Sequence, residues 1–275
     1  MTVQGTYSNR GLRLSYLEAG PTDLAAGAAA GSAPALLLLH GFPFSAAMWE
    51  PQVAAFSARC RCLVPDLSGF GESEPTAEVV RMEDFADDTR ALLDHTGVER
   101  AVVCGLSMGG YVALALAAAA PERLSGLVLA SSRAAADTPA AAEGRLASAR
   151  TVLQEGTGGF APGFLSKAIG ASTAAGQHSR IEALVLAAQP GAVAAAQRGM
   201  AERPDRRGLL GEIRVPALIL AGEEDTLIPP EESRQMAAAI PGSSLVMIPG
   251  AGHLANLEQP EAFNQALARF LDALT

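Results

Sequence analysis

Three side chains, met in the order Ser107, Asp225, His253, are of the types needed for nucleophilic catalysis. A serine hydroxyl attacks well only when a base takes its proton, and the base needs a third group to hold its ring in the right tautomer. Ser107 lies in Gly-Leu-Ser-Met-Gly-Gly (residues 105–110), between the apolar runs 101–106 and 108–120. The first run reads as a buried strand, the second as a helix that stops at Pro121. A serine on so sharp a strand-to-helix turn has its hydroxyl pushed into the open, with Gly105 and Gly109 where neighbouring groups crowd the turn. The N–H of Met108 falls at the helix N-terminus, where negative charge is stabilised.

The chain has four histidines from which to draw the base. His95, beside Asp94 near a helix end, and His178, in polar Gly-Gln-His-Ser-Arg, read as surface residues. His40 ends the strand Ala-Leu-Leu-Leu-Leu-His. His253 follows the last strand in Ile-Pro-Gly-Ala-Gly-His (248–253) and can reach back over the strand ends. The best-placed acid to orient it is Asp225, after the strand 215–221. Glu223 and Glu224 are adjacent rivals expected to face solvent, and Asp137, after the preceding strand, is a weaker alternative.

Residues so far apart meet only if the strands before them share one sheet edge. The pattern supplies such a sheet. Alternating residues 3–7 and 12–18 around Asn9-Arg10-Gly11 predict an opening hairpin. An Ala/Gly-rich loop follows over 19–35. Buried strands are predicted up to His40 and over 61–66, 101–106, 124–130, 215–221 and 244–248, with helices near 46–58, 82–96, 108–120, 230–239 and 260–274. Apolar strands alternating with helices imply an α/β fold, its mostly parallel sheet covered on both faces. Residues 133–207 hold no convincing strand. They are Ala-rich, with helical patches broken at Gly156, Gly158, Gly159 and Gly163, and a structureless loop of that length is uncommon. The expected organisation is a core of residues 1–132 and 208–275 with a small helical cap over 133–207.

Composition narrows the rest. The 275 residues are 49% hydrophobic and 18% charged, enough for a sizeable core. A net charge of −9 without a Lys/Arg block argues against nucleic acid or an anionic membrane surface as partner. Cys60, Cys62 and Cys104 cannot all pair and show no metal-ligand spacing, so they read as core thiols of a reduced compartment. With no basic-then-apolar leader and no run long enough to span a bilayer, a cytoplasmic protein is expected.

The ordered motifs together resemble those of the α/β-hydrolase family over essentially the whole chain. "HGFP" (40–43) is similar to the family's oxyanion loop, "DLSGFGES" (66–73) to its Asp-x-Arg-Gly-x-Gly-x-Ser turn, "GLSMGG" to its nucleophile elbow, "GEEDTLIP" to its acid loop and "GAGH" to its histidine loop. Ser68 departs from the usual Arg at a structural position. The resemblance implies a Ser107–Asp225–His253 triad and an oxyanion hole from the N–H groups of Phe42 and Met108, such a donor being worth roughly 3 kcal/mol of barrier. His40 then shapes its loop and is no base.

Relatives that open epoxides or remove halide carry Asp at the elbow, so Ser107 implies an acyl-enzyme formed from a small-molecule ester, thioester, lactone or amide, with no metal or organic cofactor. His40, Trp49, Arg133, Phe160 and Phe164 are the pocket candidates, with Phe44, Leu165 and Ile169 beside them. Arg133 either binds a substrate carboxylate or makes a surface ion pair. Because it is the one obvious anion partner, a carboxylesterase for small to medium acyl groups is preferred. A 3-oxoadipate enol-lactonase is the alternative, and cofactor-free perhydrolases share the triad. A non-catalytic binding protein on this scaffold usually lacks one triad residue, and none is missing here.

Overall fold

The computed structural model describes residues 2–20, 34–75 and 77–274, so nearly all of the Ala/Gly-rich loop expected over 19–35 lies outside the described residues. Eight strands form one sheet: β1 (Thr2–Asn9), β2 (Leu12–Ala19), β3 (Ala35–Leu39), β4 (Arg61–Pro65), β5 (Ala101–Leu106), β6 (Leu124–Ala130), β7 (Ala217–Gly222) and β8 (Ser244–Ile248). Their order is β1-β2-β4-β3-β5-β6-β7-β8. The opening hairpin is antiparallel, and β2 joins β4 antiparallel. From β4 to β8 every pairing is parallel. All six residues of β5 are buried, as a strand covered on both faces requires.

Parallel register aligns the carboxyl ends. Leu39 lies opposite Gly105, Leu106 opposite Ala130, Ala130 opposite Leu220, and Gly222 opposite Ile248. The loops after β3, β5, β7 and β8 therefore leave from one edge. The strand order also reverses between β3 and β5. The connection from β3 runs outward to β4, and the one from β5 runs the other way to β6, which opens a crevice where ligands bind in open α/β sheets.

Right-handed crossovers in opposite directions put helices on opposite faces. Helix α1 (Glu50–Phe56) follows a 3₁₀ turn (Ala46–Trp49), while α2 (Met82–His95) packs on α3 (Met108–Ala119). Between β6 and β7 lie only helices: α4 (Pro139–Ala168), α5 (Ala175–Leu186), α6 (Pro190–Ala201) and α7 (Arg207–Leu210). Gly156, at φ 71°, kinks α4 where the glycine-rich sequence predicts a break. Helix α6 packs on α4, where Gln197 meets Ser148 and Arg145, while its Ala192 lies against Gly69 of the loop after β4.

After β7 come α8 (Pro230–Ala239), α9 (Ala255–Glu258) and α10 (Pro260–Asp272). Helix α10 packs against α1, β7 and β8 and buries Phe263, Leu267 and Leu271, one face at four-residue spacing. Each such side chain contributes roughly 1.5–3 kcal/mol. Among the described residues, no helix is long and apolar enough to cross a membrane.

Candidate active site

Ser107 stands between β5 and α3 at φ 54°, ψ −111°. A left-handed backbone on a residue other than glycine costs on the order of 1–3 kcal/mol and persists only where neighbours impose it. Here they do. The Ser107 N–H donates to the Ala130 carbonyl at 2.8 Å. Its carbonyl accepts the N–H groups of Gly110 and Tyr111, and the Ser132 hydroxyl at 2.9 Å. The turn leaves no room for side chains: a Cβ on Gly109 would stand 2.1 Å from the Leu39 carbonyl oxygen, and one on Gly105 2.2 Å from that of Gly109. Met108 begins α3, so its N–H has no partner in the preceding turn of the helix.

The loop after β3 lies against this elbow. A Cβ on Gly41 would meet the Leu106 carbonyl oxygen at 3.3 Å and the Ser107 Cβ at 3.7 Å, which brings the neighbouring Phe42 backbone to the serine. The Phe42–Pro43 peptide bond is cis. His40, fully buried, ties the loop down. Its Nε2 accepts the Leu67 N–H at 3.0 Å, so Nδ1 carries the proton and donates to the Gly41 carbonyl, also 3.0 Å away. Burial pushes this imidazole down to about 4, so it is neutral at ordinary pH. His40 lies beneath the loop and outside the cavity wall, because both its ring nitrogens serve the backbone. Asp66 braces the next turn by accepting the N–H groups of Ala46 and Glu72. Ser68 is buried beside it, its hydroxyl unpartnered among the described residues.

Asp225 and His253 meet across the ends of β7 and β8. His253 Nδ1 is 2.8 Å from Asp225 Oδ2, with both side chains buried. Asp225 Oδ1 accepts the N–H groups of Leu227 and Ile228 at 2.9 and 2.8 Å, which fixes the carboxylate's orientation. A carboxylate there requires Nδ1 to donate, which leaves Nε2 as the acceptor. Nε2 is buried without a hydrogen-bond partner among the described residues. Glu258 secures the histidine loop. Its carboxylate accepts the N–H groups of Gly252 and Leu254, on either side of His253, together with the Gly170 N–H and the Thr173 hydroxyl just beyond α4. The His253 N–H donates to the Ala168 carbonyl at the end of α4. Of the rival acids, Glu223 is exposed, and Glu224 binds the Ser172 N–H and hydroxyl. The carboxylate of Asp137 pairs with three arginines.

A cavity of about 110 Å³ reaches Ser107, small beside the roughly 300–1,000 Å³ usual for ligand sites. Phe42 and Phe164 form part of its wall. Phe160 packs behind them, its ring 5.7 Å from Phe42 and 5.5 Å from Phe164. Phe44 and Leu165 are buried deeper. Trp49 does not line the cavity. It is fully buried against Phe263 of α10, because the 3₁₀ turn carrying it faces that helix. Arg133 does line the cavity and also pairs with Asp137 at 2.9 Å. It is not the sole cation there, since Arg145 shares the wall.

Tyr111, Arg145, Gln197, Met200, Leu227 and Ile228 complete the wall and were not among the residues expected from sequence. Tyr111 lies one helical turn after Ser107, and Leu227 two residues after Asp225, so position relative to a motif could have found them. Arg145, Gln197 and Met200 have no local signal in the Ala-rich segment between β6 and β7. Larger depressions of about 290 Å³ beside α6 and about 380 Å³ between α10 and the β7–β8 edge do not reach Ser107. Among the described residues, no cluster of three or more His, Cys, Asp or Glu side chains is placed to hold a metal ion.

The family model described as alpha/beta hydrolase fold matches residues 34–260. The chain belongs to the α/β-hydrolase family and is a hydrolase of the esterase kind. Among solved structures it is similar to a thermophilic esterase from Thermogutta terrifontis determined with malate bound. That chain is 39% identical, superimposes with a TM-score of 0.90, and is matched over 99% of its length and 100% of this one. Carboxylesterase YbfK of Bacillus subtilis is 30% identical, over 96% of this chain and 86% of that protein. 3-oxoadipate enol-lactonase 2 of Acinetobacter baylyi is 29% identical, over 85% and 87%.

Proposed function

We propose that the chain cleaves small carboxylic esters through an acyl-enzyme on Ser107, with His253 as base and Asp225 as the group that orients it. The buried 2.8 Å contact between His253 Nδ1 and Asp225 Oδ2 carries this reading, because it leaves Nε2 able to take a proton at the sheet edge that bears Ser107. As the Ser107 oxygen attacks the carbonyl carbon, its proton passes to Nε2. The oxyanion lies between the N–H groups of Phe42 and Met108. His253 then protonates the leaving alcohol and activates the water that releases the acid.

The small cavity favours short acyl groups, and the helical insertion over 133–207 serves as the cap that sets their size. Hydrolysis of a lactone such as an enol-lactone is the second reading. It is favoured by the two arginines on the cavity wall and by the enol-lactonase among the relatives. The test is Ser107→Ala against p-nitrophenyl esters of rising chain length, beside an enol-lactone. The expected result is loss of at least about 10³-fold in kcat. Turnover that survives the substitution unchanged would rule out the acyl-enzyme.

A further inference from the structure

One carboxylate, Asp137, is shared by three guanidinium groups. Its Oδ1 is 2.9 Å from Arg133 Nη2, and its Oδ2 is 2.5 Å from Arg145 Nε and 2.8 Å from Arg203 Nη1. The Asp137 side chain is fully buried and those of the arginines are at most 22% exposed. Three positive charges against one negative leave a local surplus of two. Glu232, half-buried on α8 and off the cavity wall, is the other carboxylate whose charge Arg133 feels.

The three arginines are not equivalent. Arg203 is spent on structure: it donates to the Met200 and Ala135 carbonyls and stacks on the Tyr111 ring, 4.3 Å from its centroid. Arg133 and Arg145 face the cavity that reaches Ser107, and among the described residues no acidic side chain lines that wall. Arg133 gives Nη2 to Asp137 and also hydrogen-bonds the Tyr111 side chain on the same wall, while its Nε is buried with no partner among the described residues. Arg145 binds Asp137 through Nε and Gln197 through Nη1. An orphaned guanidinium donor beside a nucleophile is costly unless a ligand meets it.

We infer that Arg133 and Arg145 form a carboxylate subsite, so that the substrate is an ester or lactone bearing a second, ionised carboxylate. Asp137 holds both forks at the wall, and the planar guanidinium matches a carboxylate's two oxygens. Phe42 and Phe164 line the same cavity and pack the few carbons between the two ends of such a substrate. The inference rests on ester hydrolysis at Ser107 for its chemistry, while the anion site stands on its own residues.

Methyl butyrate and monomethyl succinate share their length and differ in a terminal methyl or carboxylate. Titration of released acid at neutral pH should show kcat/KM about tenfold to a hundredfold higher for monomethyl succinate. In Arg145→Met that ratio should fall by at least about tenfold, and Arg145→Lys, a point charge without the fork, should fall between. Calorimetry on Ser107→Ala should detect monomethyl succinate and not methyl butyrate. Equal kcat/KM for the two esters, or a ratio unmoved in both Arg145 variants, would overturn the subsite and leave ester hydrolysis standing. Binding of monomethyl succinate to Ser107→Ala, with neither ester turned over by the native protein, would support the subsite and sink the esterase reading.

Discussion

Replacing Asp225 by Asn tests the proposed base through one atom. The amide oxygen takes the place of Oδ1 and keeps the two N–H bonds from Leu227 and Ile228. The NH₂ group then replaces Oδ2 and points at His253 Nδ1. Rotating the amide would set that NH₂ against two N–H donors, that of Ile228 buried and that of Leu227 half-buried, a penalty of about 2 kcal/mol. The ring therefore accepts at Nδ1 and carries its proton on Nε2, where a lone pair is needed to take the Ser107 proton. The expected loss is about 10⁴-fold in kcat, or roughly 5 kcal/mol of barrier, the effect of the wrong tautomer in a Ser-His-Asp triad. Stopped-assay ester hydrolysis, with circular dichroism to show that the fold is kept, measures it. A variant that folds and keeps kcat within about tenfold of the native value would refute the assignment of Asp225.

Two further outcomes test the supports of the site. Burial lowers His40 from 6.5 to about 4, so the unfolded chain binds this proton first and stability is lost as pH falls, having been fully present above 6.5. Between about pH 7 and about pH 4.5 this residue should cost about 2 kcal/mol, read by urea unfolding as a slope that His40→Gln lacks; equal slopes would rule the account out. Glu258→Gln removes the charge that gathers the N–H groups of Gly170, Gly252 and Leu254. Unfolding stability should drop by about 2–3 kcal/mol, with a fall in kcat, and an unchanged pair of values would show that the clamp does not position His253.

The fold was legible because its strands are short apolar runs with clear stops. Residues 101–106 and 124–130 coincide with β5 and β6, since buried parallel strands need continuous hydrophobicity, and 244–248 coincides with β8, a half-buried edge strand. Gly-Leu-Ser-Met-Gly-Gly could be placed because strand and helix flank it. Contacts made by tertiary packing were not legible. Trp49 lies close in sequence to the oxyanion loop, yet its face of the 3₁₀ turn meets Phe263, more than two hundred residues on. Arg145 and Gln197 come from two helices of the Ala-rich segment between β6 and β7 and meet only where α4 and α6 pack, so no local spacing foretold them. In sequence Asp137 reads as a lone acid, while in the fold its carboxylate meets Arg145 and Arg203 arriving from elsewhere in the chain.

The close approach of Gly109 to the Leu39 carbonyl means that the elbow and the loop after β3 meet backbone to backbone. The distance between the N–H groups of Phe42 and Met108 is then fixed by strand register, with no side chain as spacer. Most of the cavity's cations and apolar groups, by contrast, are side chains that can be exchanged without disturbing that register. The chemistry and the choice of substrate are therefore set largely by different parts of the chain, the contact of residues 168–173 with the histidine loop being the exception. Random mutagenesis confined to 133–207 but sparing 168–173 should yield proteins of altered substrate preference far more often than proteins that have lost turnover altogether, which makes this helical segment the place to redirect the molecule.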